Sequence, residues 1–276
     1  MSRIYYDQCE IKINNTGVLA VSANFNSDIT MGPVYTLGKR KPFKKQITTG
    51  PSSSTFQISY LINPTSDPAF NTIKEIKGFI SAPTNYDGVT IGFAGVTGQK
   101  CYLNNYTFKI EPNNVVTAQA SYITYEPVLT NTLIRTPANL TNPNNASADS
   151  IAHSSRTNLI SGRNIFAKGT ANALTGDLYN LSYTFTCNLT PIYALGQQTP
   201  VEVKPIRAQE TVNMTENLFT KLVYTGENIP LKIEISGLLD SNSFTIEMPD
   251  AFINNSTIES NLDDIVRSTK TIVQYY

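Results

Sequence analysis

Apolar and polar residues alternate with a period of two over much of the chain, and this pattern predicts strands. In "VSANFNSDI" it puts Ala23, Phe25, Ser27 and Ile29 on one face, and in "STFQISYLI" it puts Phe56, Ile58 and Tyr60 on one face. "YNLSYTFTC" does the same for Leu181, Tyr183, Phe185 and Cys187, and "ETVNMTENL" for Val212 and Met214. Two stretches change to a helical period. In "SDPAFNTIKEIKG", Asp67 is placed to cap, Pro68 to open, Ala69, Ile73 and Ile76 to face the core, and Gly78 to stop the helix. In "MTENLFTKLVYTG" the cap is Thr215, the apolar face is Leu218, Phe219, Leu222 and Val223, and the stop is Gly226. Further strands are expected in "VTIGFAG" and "LKIEISG", then in "YTFKIEP" with "VVTAQASYITY" and in "SFTIEMP" with "STKTIVQYY". Thr257 to Val266 fits either a short helix, through Ile258, Leu262 and Ile265, or a loop.

These elements come in the same order twice. "PVYTLGKRKP" (33–42) and "PIYALGQQTP" (191–200) share Pro33, Tyr35, Leu37, Gly38 and Pro42 with Pro191, Tyr193, Leu195, Gly196 and Pro200, at an offset of 158. The following strands correspond at 156, the helix stops at 148 and the next strand ends at 142. A steady fall is what longer loops in the first copy would produce. Tyr35, Leu37, Tyr193 and Leu195 are expected to pack, with Gly38 and Gly196 at the turns.

A length of 276 residues accommodates two domains of about 100 to 150 residues, each able to bury a core. The boundaries read as 1–128 and 169–276, joined by an Asn/Ser/Thr-rich connector or arm at 129–168. Lys+Arg 21 balance Asp+Glu 21, so the whole chain implies no polyanion partner. Residues 1–126 carry 11 basic and 8 acidic side chains, and residues 127–276 carry 10 and 13. The resulting +3 and −3 could help unlike surfaces meet head to tail. The N-terminus lacks the apolar core of a signal peptide and no stretch is long and apolar enough to span a bilayer, which points to folding in a cytosol.

Candidate chemistry is sparse. Cys9, Cys101 and Cys187 have no metal or redox spacing and read as reduced structural thiols. His153, the one histidine, sits in the connector, where little would orient it as a base. Asp263 and Asp264 read as a solvated pair, and no phosphate-cradling glycine loop occurs. Catalytic residues, metal ligands and cofactors are therefore not assigned. The one concentration of charge is "GKRKPFKK", with Lys39, Arg40, Lys41, Lys44 and Lys45. It reads as a solvated turn, a contact with a neighbouring subunit, or a nucleic-acid contact, and the second copy, "GQQTPVEV", carries none of these charges.

A strand rising into "P-[VI]-Y-x-L-G", a turn, a second strand, one helix and a closing pair of strands resembles the tail-tube family of bacteriophages and related contractile injection systems. The resemblance covers about 200 residues and implies a mainly β chain of two tandem tail-tube-like β-sandwich or barrel domains, each with one flanking helix. It further implies a non-enzymatic virion protein, folded and assembled in the host cytoplasm, with no inserted membrane segment. Such a subunit would bind copies of itself in a ring, for which some members of that family form a trimer with pseudo-sixfold symmetry, and other virion tail proteins. DNA would pass as sequence-independent cargo. A neck, baseplate or tail-completion protein of the same fold is the alternative, followed by a surface decoration or receptor-binding module and by an unrecognised enzyme.

Overall fold

The computed structural model describes residues 11–34, 44–62, 67–82, 86–112, 114–130, 168–170, 178–217, 228, 230–236, 243–260 and 266–276. The elements of the first half are β1 (Ile11–Ile13), β2 (Thr16–Gly17), β3 (Ala20–Val34), β4 (Lys44–Leu61), α1 (Pro68–Ser81), β5 (Val89–Phe93), β6 (Val96–Ile110), β7 (Thr117–Thr124) and β8 (Leu129–Thr130). They are followed by β9 (Lys168–Thr170), β10 (Leu178–Ile192), β11 (Glu202–Asn217), β12 (Leu231–Ser236), β13 (Ser243–Met248), β14 (Phe252–Glu259) and β15 (Arg267–Tyr275). The protein is mainly β.

Eight strands form one antiparallel surface in the order β3-β4-β7-β6-β10-β11-β15-β14. The alternating positions decide which face is buried. Phe56, Ile58, Tyr60, Tyr106, Phe108, Tyr122, Tyr183, Phe185, Val212 and Met214 fall on one side and belong to a single apolar cluster drawn from both halves of the chain. Burying each such side chain contributes about 1.5–3 kcal/mol. Over this side lie α1 and two small sheets. One is β1, β5 and the first half of β6; the other is β13-β12-β9. The backbone passes close where β6 turns from one sheet into the other, since a Cβ at Gly98 would sit 2.5 Å from the Phe56 ring. The β5–β6 hairpin turns on Ala94 and Gly95, whose φ angles of 50° and 81° suit a two-residue turn of matching twist.

The pairing registers of the two halves coincide. Ala23↔Ile58 and Phe25↔Phe56 in β3·β4 match Leu181↔Met214 and Tyr183↔Val212 in β10·β11, at offsets of 158 and 156. A bulge between Ala20 and Ser22 matches one between Leu178 and Asn180. Toward the other edge, Leu103 and Asn105 flank a bulge in β6 and Ile253 and Asn255 flank one in β14, an offset of 150.

Several expectations are corrected. "YTFKIEP" is the second half of β6, and its counterpart by register is β14, not "SFTIEMP"; that segment is β13, which pairs with β12 as the first half of β6 pairs with β5. The β6 strand runs unbroken between sheets, whereas Pro249 and Asp250 split the later pair, and proline cannot donate to a ladder. Thr257–Glu259 is neither helix nor loop but strand, pairing with Arg267–Thr269; residues 261–265 lie outside the described residues. Asp67 caps α1 and Pro68 opens it as expected, but Gly78 does not end it. Phe79 and Ile80 carry the helix on to Ser81 because Ile80 packs on the core and Phe79 on Tyr86, and the Gly78 carbonyl accepts from the Ala82 N–H. Thr215 is no helix cap, since β11 continues through Asn217 to complete its ladder with β15. The remainder of that predicted helix, Leu218 to Gly226, lies outside the described residues.

Candidate assembly surface

The two four-stranded runs meet where β6 pairs with β10, from Asn105↔Thr186 to Ile110↔Leu181. On the core side of this inner joint Phe108 stacks on Tyr183 at 5.3 Å between ring centroids, and Tyr106 meets Tyr183 at 6.1 Å. Phe70 of α1 sits over both tyrosines, 6.2 Å from Tyr183 and 6.5 Å from Tyr106. The helix thus straddles the joint. Its Lys77 donates to both carboxylate oxygens of Glu210 in β11, at 2.8 and 2.9 Å, and to the Glu247 carbonyl at 3.1 Å. Glu210 is fully buried and also accepts from the Tyr183 and Tyr276 hydroxyls.

The outer ends of the same sheet are different. Among the described residues β3 pairs only with β4, and β14 only with β15 in a strand-to-strand ladder. Apolar residues there stand in water. Ile258 of β14 is 42% exposed, while Phe108, which holds the corresponding position in β6, is 2% exposed. Ile29 of β3 is 54% exposed against 4% for Cys187, its counterpart in β10. An exposed apolar edge with unpaired backbone groups is a template for another strand.

The sheet face opposite the core is mostly uncharged and polar, with Asn24, Gln57, Gln119, Asn105, Thr184, Thr211, Asn213 and Thr271, and it also carries the exposed charges of Asp28, Lys109, Arg207 and Glu259. A hollow of about 340 Å³ on this face is lined from four neighbouring strands, by Asn24, Gln57, Gln119 and Asn105 among others. The polar face is therefore locally concave across β3, β4, β7 and β6.

Of the residues singled out from sequence, Tyr35, Leu37, Gly38, Lys39, Arg40 and Lys41 lie outside the described residues. Lys44 and Lys45 open β4, where the Lys44 backbone pairs with Val34. Gly196 is at the β10–β11 turn with φ of 82°, as expected, and the Val201 N–H closes that loop onto the Ile192 carbonyl. Tyr193 and Leu195 do not pack, contrary to expectation. Both are exposed, because they lie beyond the end of β10 on a loop that no second layer covers among the described residues. The residues at the joint and the edges went unselected in the sequence. A signal was available in "LNN" (103–105) and "INN" (253–255), the doubled phrase that marks the two bulges.

The buried carboxylates are committed to partners inside the fold. Asp67 accepts from the Phe70 N–H at 2.9 Å and from the Tyr60 and Tyr106 hydroxyls at 2.8 Å each. Burial raises its pKa against the pull of these bonds, and burial followed by the neighbouring carboxylate pushes both phenols well above their ordinary range. Glu216 and Lys270 form a fully buried ion pair between β11 and β15. Cys101 and Cys187 are free, buried thiols, each pushed up to about 12 by desolvation, which suits packing and not nucleophilic chemistry. Among the described residues no group of three or more His, Cys, Asp or Glu could hold a metal ion, and no helix is long and apolar enough to cross a membrane. Compared with models of known protein families and with curated proteins, the sequence finds no match in either.

Proposed function

We propose that the chain is a virion structural protein, a duplicated tail-tube-like subunit that assembles head to tail into rings or a tube through which DNA passes. One observation carries this reading: the last strand position of the first four-stranded run, β6, is joined to the first of the second, β10, and among the described residues the counterparts of both, β14 and β3, have no further strand beyond them, apart from a single bridge between Asn228 and Phe252 at the start of β14. A subunit that has already made such a joint once internally offers the two halves of the same joint at its ends. Contacts of this heterologous kind propagate, and they close into a ring when the rotation per step allows it. Closure would remove the open edges and cover Ile258 and Ile29.

The local concavity of the polar face fits a lumen on that side. Its Asn, Gln, Ser and Thr side chains offer hydrogen bonds without a dense array of Lys or Arg, so phosphates would find little to hold them. The family resemblance adds the expectation of three chains per ring with pseudo-sixfold symmetry, assembly in the host cytoplasm, non-enzymatic character and contact with other tail proteins. Electron microscopy of the purified protein tests this. Stacked rings with an open channel are expected; single rings that never stack would move the chain to a neck or baseplate position. Monomers alone at high concentration would overturn the reading.

A further inference from the structure

The inner joint also fixes how a second copy would dock, an inference that rests on the head-to-tail reading above. β3 holds the place of β10 at an offset of 158, and β14 holds the place of β6 at an offset of 150, each checked by bulges at matching positions. Within the chain, Asn105 faces Thr186, Tyr106 faces Phe185 and Phe108 faces Tyr183. We infer that β14 of one copy pairs antiparallel with β3 of the next in the transferred register, Asn255 opposite Asp28, Ser256 opposite Ser27 and Ile258 opposite Phe25.

Three features favour this register. Ile258 would cover Phe25, itself only partly buried and packed on Phe56 at 4.9 Å, which repeats the Phe108–Tyr183 stack with different side chains. No like charges would be opposed, because Asp28 meets Asn255 and Glu259 meets Asn24. A slip by one residue would set Ile258 against Asn26 or Asn24 and turn the apolar positions of one strand toward the polar face, which period-2 alternation penalises along the whole ladder. The occupant is therefore a second copy of this chain.

Disulfide trapping tests the register. Adjacent opposed pairs alternate between closer and wider classes, so the double variants S27C/S256C and N26C/T257C together sample both. The single variants and the slipped pair S27C/T257C serve as controls. All replaced residues lie on edge strands, and unfolding curves matching wild type verify that the fold is kept. Under mild oxidation at least one in-register pair should give about tenfold more covalent oligomer than any control, and reduction should reverse it. Rings in the microscope that are trapped by S27C/T257C and by neither in-register pair would overturn the register and leave the head-to-tail reading in place. Absence of any assembly, with all variants remaining monomeric, would overturn both.

Discussion

Phe108 and Ile258 occupy the same position in two strands, and their surroundings are opposite. Phe108 is sealed at the inner joint between Tyr183 and Tyr106, under a helix that reaches across and grips Glu210 through Lys77. Ile258 has no strand on its far side among the described residues. The side chains have changed with the setting: aromatic residues fill the joint, while Ser27, Ser256 and Ile258 stand at the edges. A joint that must hold within the monomer is built as core. At the edges the smaller Ser27, Ser256 and Ile258 stand where the joint has Phe185, Tyr106 and Phe108, while Ile29 stands where it has Cys187.

Breaking the inner joint should have the largest effect. F108A removes a buried ring from the stack on Tyr183 and should cost about 3–5 kcal/mol, read as a fall in the midpoint of urea unfolding. I258A, the same truncation at the edge, should leave that midpoint within about 0.5–1 kcal/mol of wild type and act on assembly instead. Equal losses from the two would end the distinction between joint and edge. E210A leaves Lys77, Tyr183 and Tyr276 without their shared acceptor and should cost about 3 kcal/mol. A double-mutant cycle with K77A would report how much of this is the grip of helix on sheet across the joint.

Asp67 gives a pH-dependent comparison. Its folded pKa is raised chiefly by burial, so its contribution is most favourable below the unfolded value and is lost as pH rises through the folded one. D67N, which does not ionise, should therefore gain stability relative to wild type as pH rises above the ordinary carboxylate value of about 4, as urea midpoints at successive pH values would show. A gap that stays constant with pH would mean that the carboxyl does not titrate over the range measured. The smallest effect on the fold is expected from replacing Lys39, Arg40, Lys41 and Lys45 with their counterparts in the later copy, Gln197, Gln198, Thr199 and Val203, and Lys44, whose counterpart is the acidic Glu202, with Gln. Monomer stability should stay within about 0.5 kcal/mol, while assembly, followed by light scattering, should weaken. Unchanged assembly would reduce these residues to charges that keep a turn soluble.

The strands and their buried faces were legible because alternation is a local signal: Phe56, Ile58, Tyr60, Leu181, Tyr183, Phe185, Val212 and Met214 all lie where a period of two puts them, and all are buried. The cap at Asp67 was equally local, a side chain bonding to an amide three residues away. Ile258 misled because its spacing to Leu262 and Ile265 imitates a helix, while the hydrogen bonds that make it strand come from β15. Tyr193 and Leu195 misled because apolar character tells nothing of whether a layer lies above a loop.

By itself, then, the sequence determined which segments are extended and which face of each is apolar. Each of these depends on neighbours a few residues apart. Only the tertiary structure decided that β6 meets β10, that α1 straddles that meeting, and which edges are left open, because strand neighbours are chosen by hydrogen bonds and packing between residues far apart in the chain, such as Phe108 and Tyr183 or Lys77 and Glu210.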